Sequence, residues 1–144
     1  MGYFSALDVS SSGLAVQRAR MDLISQNIAN VNTTKTEDGT PYRRQALLIG
    51  TDNNSFASQL MTAQSKNAAS KAKVVGVYED QSDLQRVYDP NHPDADEEGY
   101  VTMPNVNIVT EMVDMISATR SYEANITAMD ASKTMAMKAI GIGQ

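Results

Sequence analysis

Few groups in this chain could do chemistry. The single histidine, His92, stands in the proline-flanked turn Asp89-Pro90-Asn91-His92-Pro93. A nucleophilic triad needs a base beside its nucleophile, and a lone histidine in such a turn reads as turn filler. No phosphate-cradling glycine loop, no GxGxxG and no HExxH occurs, so nucleotide binding and zinc hydrolysis have no sequence support. With no cysteine in the chain, disulfides, cysteine-ligated zinc, iron–sulfur clusters and thiol catalysis are excluded, and both cytoplasm and periplasm stay open. The expectation is a protein that is not an enzyme and needs no cofactor and no metal.

One cluster invites a closer test. Asp89, Asn91, Asp94, Asp96, Glu97 and Glu98 lie within ten residues, and clustered oxygen ligands suit calcium. Counting a calcium loop of the EF-hand type from Asp89 puts Pro93 fifth, Asp94 where glycine is required and Tyr100 where the bidentate glutamate belongs. The spacing therefore favours a solvated acidic turn, with a calcium module kept as a rival reading.

The elements that hold these groups follow from composition and periodicity. A chain of 144 residues is one folding unit's length. Aromatic residues are 6% with no Trp, so large interior anchors are scarce. The net charge of −5 opposes binding to nucleic acid by phosphate neutralisation. No run approaches the roughly 18 apolar residues of a spanning helix. The start, Met1 to Asp8, lacks a basic region followed by a long apolar stretch, and Ala6 stands where myristoylation wants Ser or Thr. Direct membrane insertion and a cleavable signal are not expected.

From Ser5 to Val31, Leu7, Leu14, Met21 and Ile28 recur every seven residues, and Ile24 and Val31 widen the stripe. Only a helix aligns them. Val9, Val16 and Leu23 make a second stripe beside the first. Gly13 weakens the first three turns, which are expected to fray. Between Asn105 and Ile140 there is neither Gly nor Pro, with Pro104 before and Gly141 after, so a second long helix is expected there. Stepping by four and three from Ile108 visits Met112, Met115, Thr119, Tyr122, Ile126, Met129, Lys133, Ala136 and Ile140, a coiled-coil seam. Five of the nine methionines lie on this helix; they read as apolar filling and suit packing against several neighbours.

Between the helices lie all four prolines and most of the acids. Tyr42 to Ile49, Lys73 to Tyr78, Gln85 to Tyr88 and Gly99 to Met103 read as strands, whereas Thr51 to Lys73 reads as a mobile loop with a weak helix around Phe56 to Thr62. The predicted architecture is mainly α: residues 1–32 and 105–144 pair as a coiled-coil core around a small β-rich insertion, 33–104.

Some local motifs are more specific. Asn27-Ile28-Ala29-Asn30-Val31-Asn32-Thr33, followed by Pro41-Tyr42-Arg43-Arg44-Gln45, is similar to the end of the first helix in bacterial flagellar rod and hook proteins. Gly99-Tyr100-Val101-Thr102-Met103-Pro104-Asn105-Val106-Asn107, then Glu111-Met112-Val113 and Ala118-Thr119-Arg120-Ser121-Tyr122-Glu123-Ala124-Asn125, resembles the entry into their last helix. The length resembles the proximal-rod members, since hook and distal-rod relatives carry larger insertions. Thr51 to Lys73 has no counterpart. The resemblance implies a coiled-coil core of the axial-protein type and a non-enzymatic subunit of the periplasmic rod, transmitting torque from motor to hook. It further implies export by the flagellar type III apparatus, and contacts with itself, other rod proteins and the hook–basal-body junction protein. Carried over residue by residue are only packing roles, for Ala29, Asn30, Asn32, Thr33, Tyr42, Pro104, Asn105, Tyr122, Glu123 and Asn125, with the Asn30 turn closing the first helix.

Two broad apolar helices also need more cover than 144 residues supply, so an oligomer is expected. A cytosolic coiled-coil adaptor or secretion chaperone would share the helices and the acidity, and stands as the alternative function.

Overall fold

The computed structural model describes residues 3–51 and 71–142. The chain runs α1 (Tyr3–Ala29), β1 (Gln45–Thr51), β2 (Ala72–Glu79), β3 (Gln85–Tyr88), β4 (Tyr100–Met103) and α2 (Ile108–Ile142). This is the expected plan of two long helices around a small β-rich insertion. The predicted loop and weak helix between Thr51 and Lys73 fall mostly outside the described residues.

The strands form two separate antiparallel pairs, β1 with β2 and β3 with β4. In the first, Gln45 faces Glu79 and Thr51 faces Ala72, and the register slips between Leu48 and Ile49. Val75 bulges there, and its Cγ2 would lie only 2.6 Å from a Cβ on Gly50, so glycine makes room for the bulge. In the second, Tyr88 meets Tyr100 edge to face at 5.3 Å, and the Arg86 guanidinium lies 5.1 Å from the Tyr100 ring centre.

The helices pack along each other in opposite directions. Asn27, late in α1, bonds to Glu111, early in α2. Fourteen residues back along α1 and fourteen on along α2, Gly13 faces the Asn125 amide. Side-chain exposure then locates the inner face of α2: Glu111, Met115, Ala118, Tyr122, Asn125, Met129, Ser132 and Ala136, all buried or half-buried, recur by fours and threes.

Four of the ten predicted seam positions lie on that face, namely Met115, Tyr122, Met129 and Ala136. Met112, Thr119, Ile126, Lys133 and Ile140 lie one residue off it, and Ile108, Met112, Ile126 and Ile140 are exposed. The inner face takes Glu111, Ala118, Asn125 and Ser132 instead, and Ala118 is fully buried. On α1, Ile24 and Val16 are buried, while Leu7, Leu14, Met21 and Ile28 are half-buried.

Two helix-end expectations are corrected. Helix α1 runs unbroken through Gly13, since the missing Cβ admits the Asn125 side chain, 3.1 Å from where that Cβ would sit. Helix α2 passes Gly141 and is described as far as Ile142; a glycine in a helix costs about 1 kcal/mol, too little to stop a helix of 35 residues.

Candidate assembly interface

The chemistry of the described residues converges where α1 ends, β1 begins and α2 starts. Helix α1 closes on Asn30, whose amide nitrogen and side-chain Nδ2 both donate to the Gln26 carbonyl, at 3.0 and 2.9 Å. Thr33 returns two bonds to Asn30, from its amide to the carbonyl and from its hydroxyl to Oδ1. The Tyr42 amide then donates to the Thr33 carbonyl. That turn brings Tyr42 back under the helix it has just left.

There Asn27 uses its whole amide. Its Nδ2 donates to the Gln45 carbonyl at 2.9 Å and to Glu111 Oε2 at 3.0 Å, while its Oδ1 accepts from the Tyr42 hydroxyl and the Gln45 amide, both at 3.0 Å. An asparagine can be buried to 1% exposure because nothing on it is left unpaired. Glu111, with no exposure at all, receives Arg44 Nε on its second oxygen at 2.7 Å. Arg44 also reaches Asp114 at 3.5 Å, and Arg20 of α1 reaches the same carboxylate at 3.6 Å.

Fields follow these contacts. Burial pushes the Tyr42 phenol above its ordinary value, and the negative charges of Glu111 and Glu79 push the same way. For Arg44, burial works to lower the value, but the Glu111 bond and the charges of Glu111, Asp114 and Asp80 outweigh it and raise the guanidinium further.

A second asparagine ties the insertion on. The Arg44 amide donates to Asn105 Oδ1 at 2.7 Å, and Asn105 Nδ2 donates to the Asp80 carbonyl at 3.0 Å and the Ser82 hydroxyl at 2.9 Å. Pro104 beside it is buried. Asn107 caps α2, its Oδ1 accepting from the amides of Val109 and Thr110.

The acidic turn is occupied by its own backbone. Asp96 accepts from the amides of Glu98 and Tyr100 and from Arg86 at 2.6 Å, Asp89 accepts from the Asn91 amide, and Asp94 accepts from the Thr34 hydroxyl. His92 Nδ1 accepts from the Asp94 amide, a turn contact.

Among the sequence-selected residues, Asn30, Thr33, Tyr42, Pro104 and Asn105 gather around this node. Tyr122 and Asn125 lie on the helix seam, and Leu14 lines a cleft of about 340 Å³ beside Tyr122. Met21 offers its sulfur to the Thr119 hydroxyl at 3.7 Å. Ala29, Asn32 and Glu123 are exposed and lie apart from the node.

Comparison with known proteins places these halves in one family. A model described as "Flagella basal body rod protein" matches residues 7–35, which hold α1 and the Asn30 turn, and one described as "Flagellar basal body rod FlgEFG protein C-terminal" matches residues 97–142, which hold β4, Asn105 and α2. "Flagellar basal-body rod protein FlgC" of Bacillus subtilis is 48% identical, with all of both chains covered. Proteins of the same name from Borreliella burgdorferi and Salmonella typhimurium are 46% and 37% identical, each covering all of this chain and 99% and 100% of their own length. The chain belongs to the FlgC family of flagellar basal-body rod proteins. The adaptor or chaperone alternative finds no support in these matches.

Seen against this FlgC-family membership, the node joins the two matched segments across the insertion. Asn27, Arg44 and Glu111, its central members, were not among the sequence-selected packing residues, though each stands inside a quoted motif. The available signal was a lone charged residue, Glu111, in the first turn of the last helix, which demands a partner if buried.

Proposed function

We propose that the chain is a non-enzymatic subunit of the proximal rod that carries torque from motor to hook through packed helices. Supporting this is the family membership together with one observation: α2, already paired with α1 on one face, leaves Val109, Met112, Val113 and Ile116 between 55% and 70% exposed on the other. Contiguous apolar surface of this kind marks a contact with another protein. Close helix packing resists sliding because even small voids forfeit dispersion contacts.

In this reading the neighbours are further copies, other rod proteins and the hook–basal-body junction protein. The location is the periplasm, reached by the flagellar type III export apparatus. The coiled-coil and assembly contacts, within the helix pair and to neighbours, are drawn from Leu7, Leu14, Met21, Ile24, Ile28, Ile108, Met112, Met115, Tyr122, Ile126, Met129 and Ile140.

Fractionation tests this. The chain should co-purify with basal bodies, and recovery from the cytosol alone would overturn the reading.

A further inference from the structure

We propose that the outer face of α2 in one copy packs antiparallel on the outer face of α1 in a second copy, with Glu123 against Arg18 and Arg120 against Asp22. This deepens the rod-subunit reading and rests on it.

The helix pair has two outer faces on opposite sides. That of α2 is an apolar ridge, Val109, Met112, Val113 and Ile116, which runs on into Arg120 and Glu123. That of α1 is low: Ser11, Ala15, Ser25 and Ala29 are exposed there beside Arg18 and Asp22. A ridge of large side chains packs on a row of small ones with few voids. None of the four charged residues is in an ion pair within 4.0 Å among the described residues.

Direction and register follow. Because α1 and α2 are antiparallel within a copy, two copies of the same orientation present α2 of one antiparallel to α1 of the next. The intrachain register, Gly13 at Asn125 and Asn27 at Glu111, puts Arg18 level with Arg120. Copies stacked level would oppose like charges. Sliding one copy by three to four residues, about 5 Å at 1.5 Å per residue, opposes Arg18 to Glu123 and Asp22 to Arg120. The same slide sets Val113 over Ala29 and Ile116 over Ser25. Exposed ion pairs add little affinity but fix register and reject the wrong one. Since the two faces differ, the contact is heterologous and repeats without closing on itself, each copy climbing by that slide.

The absence of cysteine in the chain makes the test direct. Basal bodies from cells carrying Val113→Cys with Ala29→Cys are oxidised and run without reductant. A ladder of dimer, trimer and higher species is expected, while each single variant stays monomeric and Val113→Cys with Ser25→Cys, the level register, links poorly. Dimers from Val113→Cys alone would mean a two-fold contact and overturn the proposal, as would a stronger ladder from the level pair. An adduct with a different rod protein would overturn the choice of a second copy. Chain present in basal bodies without any ladder overturns this interface alone, whereas chain absent from basal bodies overturns the rod-subunit reading as well. Arg120→Asp and Asp22→Arg should each weaken the ladder from the staggered pair, and the two together should restore it. Failure of the combined variant to restore it, with its melting temperature unchanged, would sink the proposed charge pairing.

Discussion

Asn27 and Glu111 stand 84 residues apart in the chain and share a 3.0 Å hydrogen bond from which solvent is shut out. Each is held by the other and by β1, so the contact fixes the helix register and the root of the insertion together. Such a network is stabilising only while complete, because a buried group that loses its partner keeps the whole cost of desolvation.

Replacing Asn27 by Asp keeps the shape but removes both donors and sets a second carboxylate against Glu111. The loss at pH 7.5 should be about 3 to 5 kcal/mol in urea unfolding. Two like charges in contact raise the folded-state pKa of the pair above its unfolded value. Stability should therefore recover as the pH is lowered and the added carboxylate takes up a proton. A variant equally unstable at the lower pH would contradict the charge explanation.

At Gly13 a helix position that ordinarily gains about 1 kcal/mol from alanine is crowded by Asn125, whose Nδ2 would be 3.1 Å from the new Cβ. Gly13→Ala alone should gain well under that amount. In an Asn125→Ala background the same change should deliver the full gain, which a double-mutant cycle on thermal unfolding reads out.

Ala118 and Ile126 separate the inner face from the outer. Ala118→Leu inserts volume where exposure is zero and should cost about 1 to 3 kcal/mol, by overpacking. Ile126→Asp, at a site 39% exposed, should cost the isolated chain less than about 1 kcal/mol while impairing swimming. Equal effects on folding would put both residues in one seam.

Two groups set opposite pH limits. Backbone bonding from Tyr100, with help from Arg86 and Glu98, holds Asp96 below its ordinary 3.8. Its contribution is present above that value and lost as pH falls through the lowered one, and Asp96→Asn should flatten the acid limb. Tyr42 is raised above 10.0, chiefly by burial, so its contribution is complete below pH 10 and lost as pH rises through the raised value. Tyr42→Phe should flatten the alkaline limb. By contrast Glu97→Gln and Glu98→Gln, both exposed, should change stability by less than about 0.5 kcal/mol.

What the sequence made legible was local. Strand β3, from Gln85 to Tyr88, lies where its residues predict, and the Asn30 turn closes the first helix. The helix seam was legible only in part, for a physical reason. Helix α2 is apolar on an outer face, through Val109, Met112, Val113 and Ile116, as well as toward α1 through Met115 and Met129, so a count of apolar positions blends two stripes into one. Burial on the inner face does not follow side-chain hydrophobicity, since Asn125 and Ser132 carry no apolar signal and Ala118 only a weak one. The node was harder still, since nothing local to Asn27 records that Glu111 will meet it.

The antiparallel pairing also dictates when the molecule can become itself. The first 104 residues contain α1 and both hairpins, yet the face of α1 that meets Ala118 and Asn125 has no cover until the last helix arrives. Closing a contact over 84 residues spends chain entropy before it returns any packing. The strand pairs close shorter loops than the helix pair, which forms last. Until its final residues are in place the chain cannot complete the helix pair, and its first 104 residues alone lack the cover that α2 gives α1.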